Sequence, residues 1–407
     1  YHGWFLLCLG IYLYSIPHFF NFFILGNPNP LYTINESINL IGNGITYNLK
    51  GINYINIIIT SLIIPQFFLK SNLLIVKTNI NINKPAIISL IAFFSLILIF
   101  GLRRIDYQSI ENSYAVPEGS SFVFGVYYWL NFLFSIVFLF LLYKNKDLKI
   151  YFIIILLYQF ILFYLGVRQI SFWFILTLVV EWLLFKKMTT GKIHLNISFI
   201  AFFVLFAYVM GIITTYRFNK QFSFELLMPL QSIEMFIYAY FAETSLTLYN
   251  LFACIYESMH GNDCFFFPEI KDTFIMIIPS WLFEKNSFLS FAIFDNKYNV
   301  APFGTYFIVG ELILSLRYKI LIFMFGFIYS LMGYFLLNKF LIKTSILKIT
   351  VYASALIILY IRPIRGLLAP SFKIFLIFVL FVYFIIKIFT SLSNQYKSYT
   401  ESIQNKE

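Results

Sequence analysis

Long apolar runs separated by short polar linkers recur along almost the whole chain. Runs of about 17 to 23 residues suffice to cross a bilayer core of roughly 30 Å as α-helices. The pattern predicts spans at roughly 4–25, 52–69, 85–101, 122–143, 150–166, 170–185, 196–214, 319–337, 346–361 and 371–389. Within the runs the apolar positions are continuous rather than alternating, which excludes a β-barrel. The expected fold class is therefore all-α: a polytopic integral membrane helical bundle of ten or eleven transmembrane helices. No second soluble domain is expected, and 1–407 reads as a single membrane domain.

Two stretches break the pattern. Residues 215–302 hold five Lys/Arg and nine Asp/Glu and read as one large extramembrane loop. Its first part, 226–257, is helix-like, with Glu243, Asn250 and Glu257 recurring every seven residues. That spacing predicts helices lying on the membrane surface, with a polar stripe turned to water or substrate. The second part, HGNDCFFFPEIKD followed by PSWLFEKN, reads as loop punctuated by Pro268 and Pro279. The run 303–316 (FGTYFIVGELILSL) is short for a span and carries Glu311. It is expected to be a re-entrant or short transmembrane segment with Glu311 near a cavity.

Composition supports the class: 60% of residues are hydrophobic and only 12% are charged. No cleavable signal pattern is visible in the first run. The net charge of +11 is dispersed through short linkers, as membrane orientation requires, and is not a nucleic-acid footprint. Four linkers carry Lys70, Lys77 and Lys84; Lys144, Lys146 and Lys149; Lys186, Lys187 and Lys192; and Lys339, Lys343 and Lys348, with Asp147 as their single acid. The positive-inside rule makes these linkers cytoplasmic and puts both termini inside. The seven arginines, Arg103, Arg104, Arg168, Arg217, Arg317, Arg362 and Arg365, then fall on the opposite side. Arginine sorted outward asks for an anionic ligand there, because a planar guanidinium fork grips phosphate as lysine does not.

The candidate chemistry follows from that sorting. Arg362 and Arg365 lie in YIRPIRG, where Pro363 disfavours helix at Arg362 and predicts a tight turn between the last two spans. Two guanidinium groups three residues apart suit a pyrophosphate. Arg168, in the short turn GVRQI, and Arg217, in TTYRFNK, are further pyrophosphate-binding candidates. Arg103 and Arg104 neighbour Asp106 and read as a local ion pair, while Arg317 reads as an anchor. A transfer reaction also needs a proton acceptor, and His260, Glu243 and Glu311 are the candidates for it. Glu181 reads as structural, near Lys186 and Lys187. Cys254 and Cys264 are placed for a bridge around the MHGND loop. No CxxC, HExxH, Walker or dinucleotide motif is present, so metal and nucleotide cofactors have no sequence support.

The span number, the single large late loop and the outward arginines resemble the Wzy-type O-antigen and capsular repeat-unit polymerases. The strings GVRQISFWFIL and APFGTYFIVGELILSLRYKILIFMFGFIYSLMGY are similar to that family's glycine–arginine turn and glycine-rich stretch. The resemblance implies a glycosyltransferase of GT-C-like architecture in the bacterial inner membrane, with 215–302 as a periplasmic loop and no cofactor. A growing glycan on undecaprenyl pyrophosphate would be transferred to an undecaprenyl-pyrophosphate-linked repeat unit. Membrane lipids and a chain-length regulator protein would be its other partners, with no nucleic acid. The competing readings are an O-antigen ligase and a Wzx-type lipid-linked oligosaccharide flippase, against which the 215–302 segment speaks.

Overall fold

The computed structural model describes residues 3–23, 45–69, 84–102, 120–142, 168–190, 247–262, 268–278, 288–301, 306–341 and 345–404, with isolated positions between 204 and 244. Among these residues the chain is all-helical. Among the described residues, six helices are long and apolar enough to cross a membrane: Thr46–Phe68, Lys84–Leu102, Gly125–Leu142, Lys319–Leu341, Ile346–Arg365 and Leu368–Leu392. The protein is thus a multi-pass helical membrane protein. Helices Gly3–Phe23 and Arg168–Thr190 coincide with the first and sixth expected spans. The expected spans at 150–166 and 196–214 lie outside the described residues.

The chain forms two compact units, each assembled from separated pieces of sequence. The first comprises Tyr1–Lys70, Ile193–Gly333 and Tyr360–Pro370; the second comprises Ser71–Lys192, Tyr334–Leu359 and Ser371–Glu407.

In the second unit, Lys84–Leu102 shows how a membrane helix packs without a polar face. Ile87, Ile91, Phe94, Leu98 and Gly101, at helical spacing, are buried. Phe93, Leu96, Ile99 and Phe100 on the other side are exposed. An apolar residue is stable on either face when one side meets protein and the other meets lipid. The buried stripe packs on Ser120–Leu142, which in turn contacts Arg168–Thr190 and Ile346–Ala355. Trp129 on Ser120–Leu142 donates its indole N–H to the Ile377 carbonyl at 3.3 Å. That carbonyl belongs to a π-helical segment, Phe375–Leu380, which breaks the last long helix; a second such segment, Leu356–Ile361, ends the helix before it.

In the first unit, Gly3–Phe23 lies against Ile45–Phe68. His18 Nε2 donates to Asn48 Oδ1 at 3.0 Å across that contact, so two polar groups in apolar surroundings satisfy each other. Ser330 Oγ donates to the Leu62 carbonyl at 2.8 Å and accepts from Gln66 Nε2 at 2.7 Å. The amino-terminal helix also reaches the segment after residue 360: a β-carbon at Gly10 would displace the tip of the Ile364 side chain, so the two segments pack closely there.

Candidate functional site

The site of interest lies within the first unit, around the turn that carries Arg362 and Arg365. The helix Ile346–Ala355 continues as the π-helical Leu356–Ile361 and ends in a 3-10 turn, Arg362–Arg365, with Pro363 at its start. Proline fixes its own φ and removes one N–H at the first turn, where no intrahelical partner is needed. A 3-10 helix has three residues per turn, so positions i and i+3 eclipse. Arg362 and Arg365 therefore project from the same side. Both are half-buried, whereas Pro363 and Ile364 between them are buried. The tight turn read from YIRPIRG is present, with the two arginines at its i and i+3 positions.

The turn is held from behind by the short helix Ile308–Leu316, whose nine residues are all buried. Nine residues span about 14 Å, well short of a bilayer core of about 30 Å. Its amino end is fixed by Asn250: Phe307 N donates to Asn250 Oδ1, and Asn250 Nδ2 donates to the Val300 carbonyl, both at 2.9 Å. Its other end stops at Arg317, exposed and at φ 55°, a conformation that L residues rarely adopt. Glu311 in this helix is 1% exposed. Both of its carboxylate oxygens accept the Leu368 N–H, at 3.1 and 3.0 Å, just beyond the arginine turn. The Arg362 guanidinium is close enough to act on the same carboxylate electrostatically, as are Glu269 and Asp272. Glu311 is thus occupied in fixing the turn rather than turned into open space.

The acids beside it come from a segment that reads as loop in the sequence. Pro268–Ile277 is instead a helix, with proline at its first position and Glu269 in its first turn, where the helix dipole favours an acid. Ser290–Tyr298 is a second helix. Pro268 starts structure here instead of interrupting it. Asp272 is buried and accepts Ser290 N at 3.0 Å and Ser290 Oγ at 3.1 Å.

Glu269, 3% exposed, meets the Ser315 hydroxyl through Oε1, while its Oε2 is buried with no hydrogen-bond partner. Ser315 Oγ also lies 2.8 Å from the Glu311 carbonyl. A serine hydroxyl has one proton to give. Both contacts are satisfied together when Glu269 carries the proton and donates to Ser315, which then donates to the carbonyl. Burial pushes the Glu269 carboxyl up to about 7, with the neighbouring Asp272 acid reinforcing the shift. Among the described residues no group of three or more His, Cys, Asp or Glu converges as a metal site.

The polar stripe expected on 226–257 does not face water at Asn250, which is fully buried and bridges two backbone groups. An asparagine can face inward when its amide satisfies both a donor and an acceptor that would otherwise be stranded. The helical stretch 247–259 ends at Gly261, φ 79°, and Glu257 accepts from Asn262 Nδ2 at 2.9 Å. His260 at this end is exposed, its Nδ1–H donating to the Tyr256 carbonyl at 2.9 Å and its ring 4.2 Å from the Tyr256 ring. This tautomer leaves Nε2 with a lone pair. Ten residues, about 15 Å of helical rise, separate His260 from Asn250, and its hydrogen bond and ring contact are both to Tyr256.

Asp295 accepts Ala301 N at 2.7 Å, and burial raises its carboxyl while the Ala301, Tyr306 and Val300 donors oppose the shift. Ala253, Cys254, Phe291, Phe294, Val300 and Leu314 form the apolar cluster that joins these helices. Of the remaining candidates, Arg168 is the first residue of Arg168–Thr190. Arg103, Arg104, Arg217, Glu243 and Cys264 lie outside the described residues, and with Cys264 the expected Cys254–Cys264 bridge. Comparison with protein-family models, curated proteins and solved structures returns no match.

Proposed function

We propose that this chain is a surface-polysaccharide polymerase: a glycosyltransferase of the bacterial inner membrane that moves a growing glycan from undecaprenyl pyrophosphate to an undecaprenyl-pyrophosphate-linked repeat unit. In this reading both termini are cytoplasmic, 215–302 is periplasmic and the architecture is GT-C-like. The observation that carries the reading is the 3-10 turn that eclipses Arg362 and Arg365 and is tied down through Leu368 by Glu311. Two guanidinium groups on one side of a fixed turn match the two phosphates of a pyrophosphate leaving group. Such donors act where charge develops as the sugar–phosphate bond breaks, and their prior placement removes reorganisation at that moment.

The acceptor sugar's hydroxyl attacks the donor's anomeric carbon, undecaprenyl pyrophosphate leaves, and the hydroxyl proton passes to a base. His260 suits that role better than Glu311, since its Nε2 lone pair is on an exposed side chain while both Glu311 oxygens are engaged. Glu243 remains a candidate for the same role, and Arg168 and Arg217 are further pyrophosphate contacts in this scheme. Glu311 becomes a positioning residue. Membrane lipids surround the chain, and a chain-length regulator is its proposed protein partner.

The test is a gel of lipopolysaccharide from the native host lacking this gene. Core bearing a single repeat unit, without the long ladder, supports polymerisation. Bare core with polymer stranded on the lipid carrier would reject it in favour of ligation, and an unchanged ladder would reject it outright.

A further inference from the structure

Glu181 has no part in that reaction, yet it sits mid-way along Arg168–Thr190 in the second unit, completely buried. Among the described residues neither of its carboxylate oxygens makes a hydrogen bond. The group facing it is the hydroxyl of Thr350, itself fully buried and likewise short of a formed hydrogen bond. Charge compensation from its surroundings is scarce. The packed helix Ser120–Leu142 contains no charged residue, and Ile346–Ala355 contributes Lys348 and Tyr352 as its titratable groups. On its own helix, Lys186 sits over the Trp182 ring at 4.5 Å, with Lys187 following. A carboxylate at such a place is costly unless it has work to do.

One helical turn from this pair, on the same two helix faces, lie Thr177 and Ser354. Both line a cavity of about 30 Å³, together with Asn131 and Ser135 of the third helix. That volume holds about two water molecules by the usual measure of one probe sphere each. The Ser135 hydroxyl donates to the Asn131 carbonyl at 3.1 Å and the Thr177 hydroxyl to the Trp173 carbonyl at 2.8 Å. Their donors are used, so their lone pairs are left to accept from water. The two π-helical segments border the same cavity through Ile358, Phe378 and Val379. Such bulges in otherwise regular helices frequently mark functional sites. Thr177 and Ser354, one helical turn from Glu181 and Thr350, thus lie between a water-sized cavity and a buried acid.

We infer that Glu181 is an intramembrane proton-binding site, loaded through water held in the Asn131–Ser135–Thr177–Ser354 cavity. Hydronium gives its proton to the carboxylate oxygen and leaves as water; release runs the same way in reverse. A divalent cation would need about six converging oxygens, whereas a proton needs one carboxylate and a route.

The test uses the full chain in lipid nanodiscs and reads the infrared carboxylic-acid C=O band. At neutral pH the wild type shows a protonated-carboxyl component that is lost in Glu181→Gln, persists in Glu269→Gln and shifts on transfer to D₂O. Thr350→Val keeps that band but changes its frequency, which supplies the assignment should Glu181→Gln misfold. Asn131→Leu, which fills the cavity, keeps the band and slows its deuteration. Identical wild-type and Glu181→Gln spectra would overturn the proposal, as would a band that appears only when sodium is withdrawn. A band that never deuterates, or that deuterates at the wild-type rate in Asn131→Leu, overturns the route through the cavity. None of these outcomes depends on the polymerase reading.

Discussion

Both carboxylate oxygens of Glu311 accept the same backbone N–H, that of Leu368, at 3.1 and 3.0 Å, fifty-seven positions along the chain. The contact ties a short buried helix to the first residue of the helix that follows the arginine turn, so Glu311 helps fix the position of a turn that Pro363 begins. Glu311→Ala strands a buried donor, which costs about 1–3 kcal/mol. The expected outcome is a lowered thermal midpoint together with lost polymer, whereas Glu311→Gln, which keeps one acceptor oxygen, recovers most of the stability. A midpoint unchanged in Glu311→Ala would show that the contact does not hold the turn.

Arg365 is expected to act through its planar fork, not its charge alone. If Arg365 holds the pyrophosphate leaving group as proposed, Arg365→Ala is expected to lower the transfer rate by about 100- to 1,000-fold. Arg365→Lys keeps the charge and loses bidentate geometry, so it falls clearly below wild type. Both variants should insert and melt as the wild type does, because the side chain is half-buried at a turn. Equal polymer from Arg and Lys at this position would remove the geometric argument.

Glu269 gives the protein a pH-dependent stability. Its carboxyl is pushed up to about 7 in the folded chain from an ordinary 4.5. Between those values the folded state binds more protons than the unfolded one, so stability falls as pH rises through that window and levels off above it. The full drop is about 3 kcal/mol. Glu269→Gln, whose amide donates to Ser315 as the protonated acid does, flattens the curve. Denaturation midpoints from pH 4 to 8, compared for the two proteins, check both parts; parallel curves would contradict the assignment.

Gly310 admits no side chain. A β-carbon there lies 2.6 Å from Asn250 Oδ1 and 3.1 Å from Cys254 Sγ. Asn250 cannot move aside, since its amide holds Phe307 and Val300. Gly310→Ala is expected to cost about 1–3 kcal/mol through overpacking and to lower the yield of folded protein in detergent. A wild-type melting curve for Gly310→Ala would mean that Asn250 is less firmly held than its two hydrogen bonds imply.

Much of this was legible in the chain. Apolar run length located six helices able to cross a membrane, and Pro363 located the turn that carries Arg362 and Arg365. What escaped were residues whose role depends on a distant partner. Glu311 was visible as an acid in an apolar run, but its engagement with Leu368 spans two separate stretches of sequence. Asn250 looked like part of a solvated stripe because periodicity marks a face without saying which way it turns. Glu269 did have a local signal: PEIKD places proline at the first helical position and an acid just behind it, which is how a helix begins. Reading Pro268 as a breaker hid it.

The central claim is that the Arg362–Arg365 turn receives a lipid pyrophosphate during glycan transfer. Its most direct measurement uses the purified full chain in nanodiscs with undecaprenyl-pyrophosphate-linked repeat unit as sole substrate, following product length and released undecaprenyl pyrophosphate. Wild type is expected to yield a ladder with one undecaprenyl pyrophosphate released per unit joined, and Arg362→Ala/Arg365→Ala to yield neither while remaining folded. A ladder of wild-type length from the double variant would contradict the account.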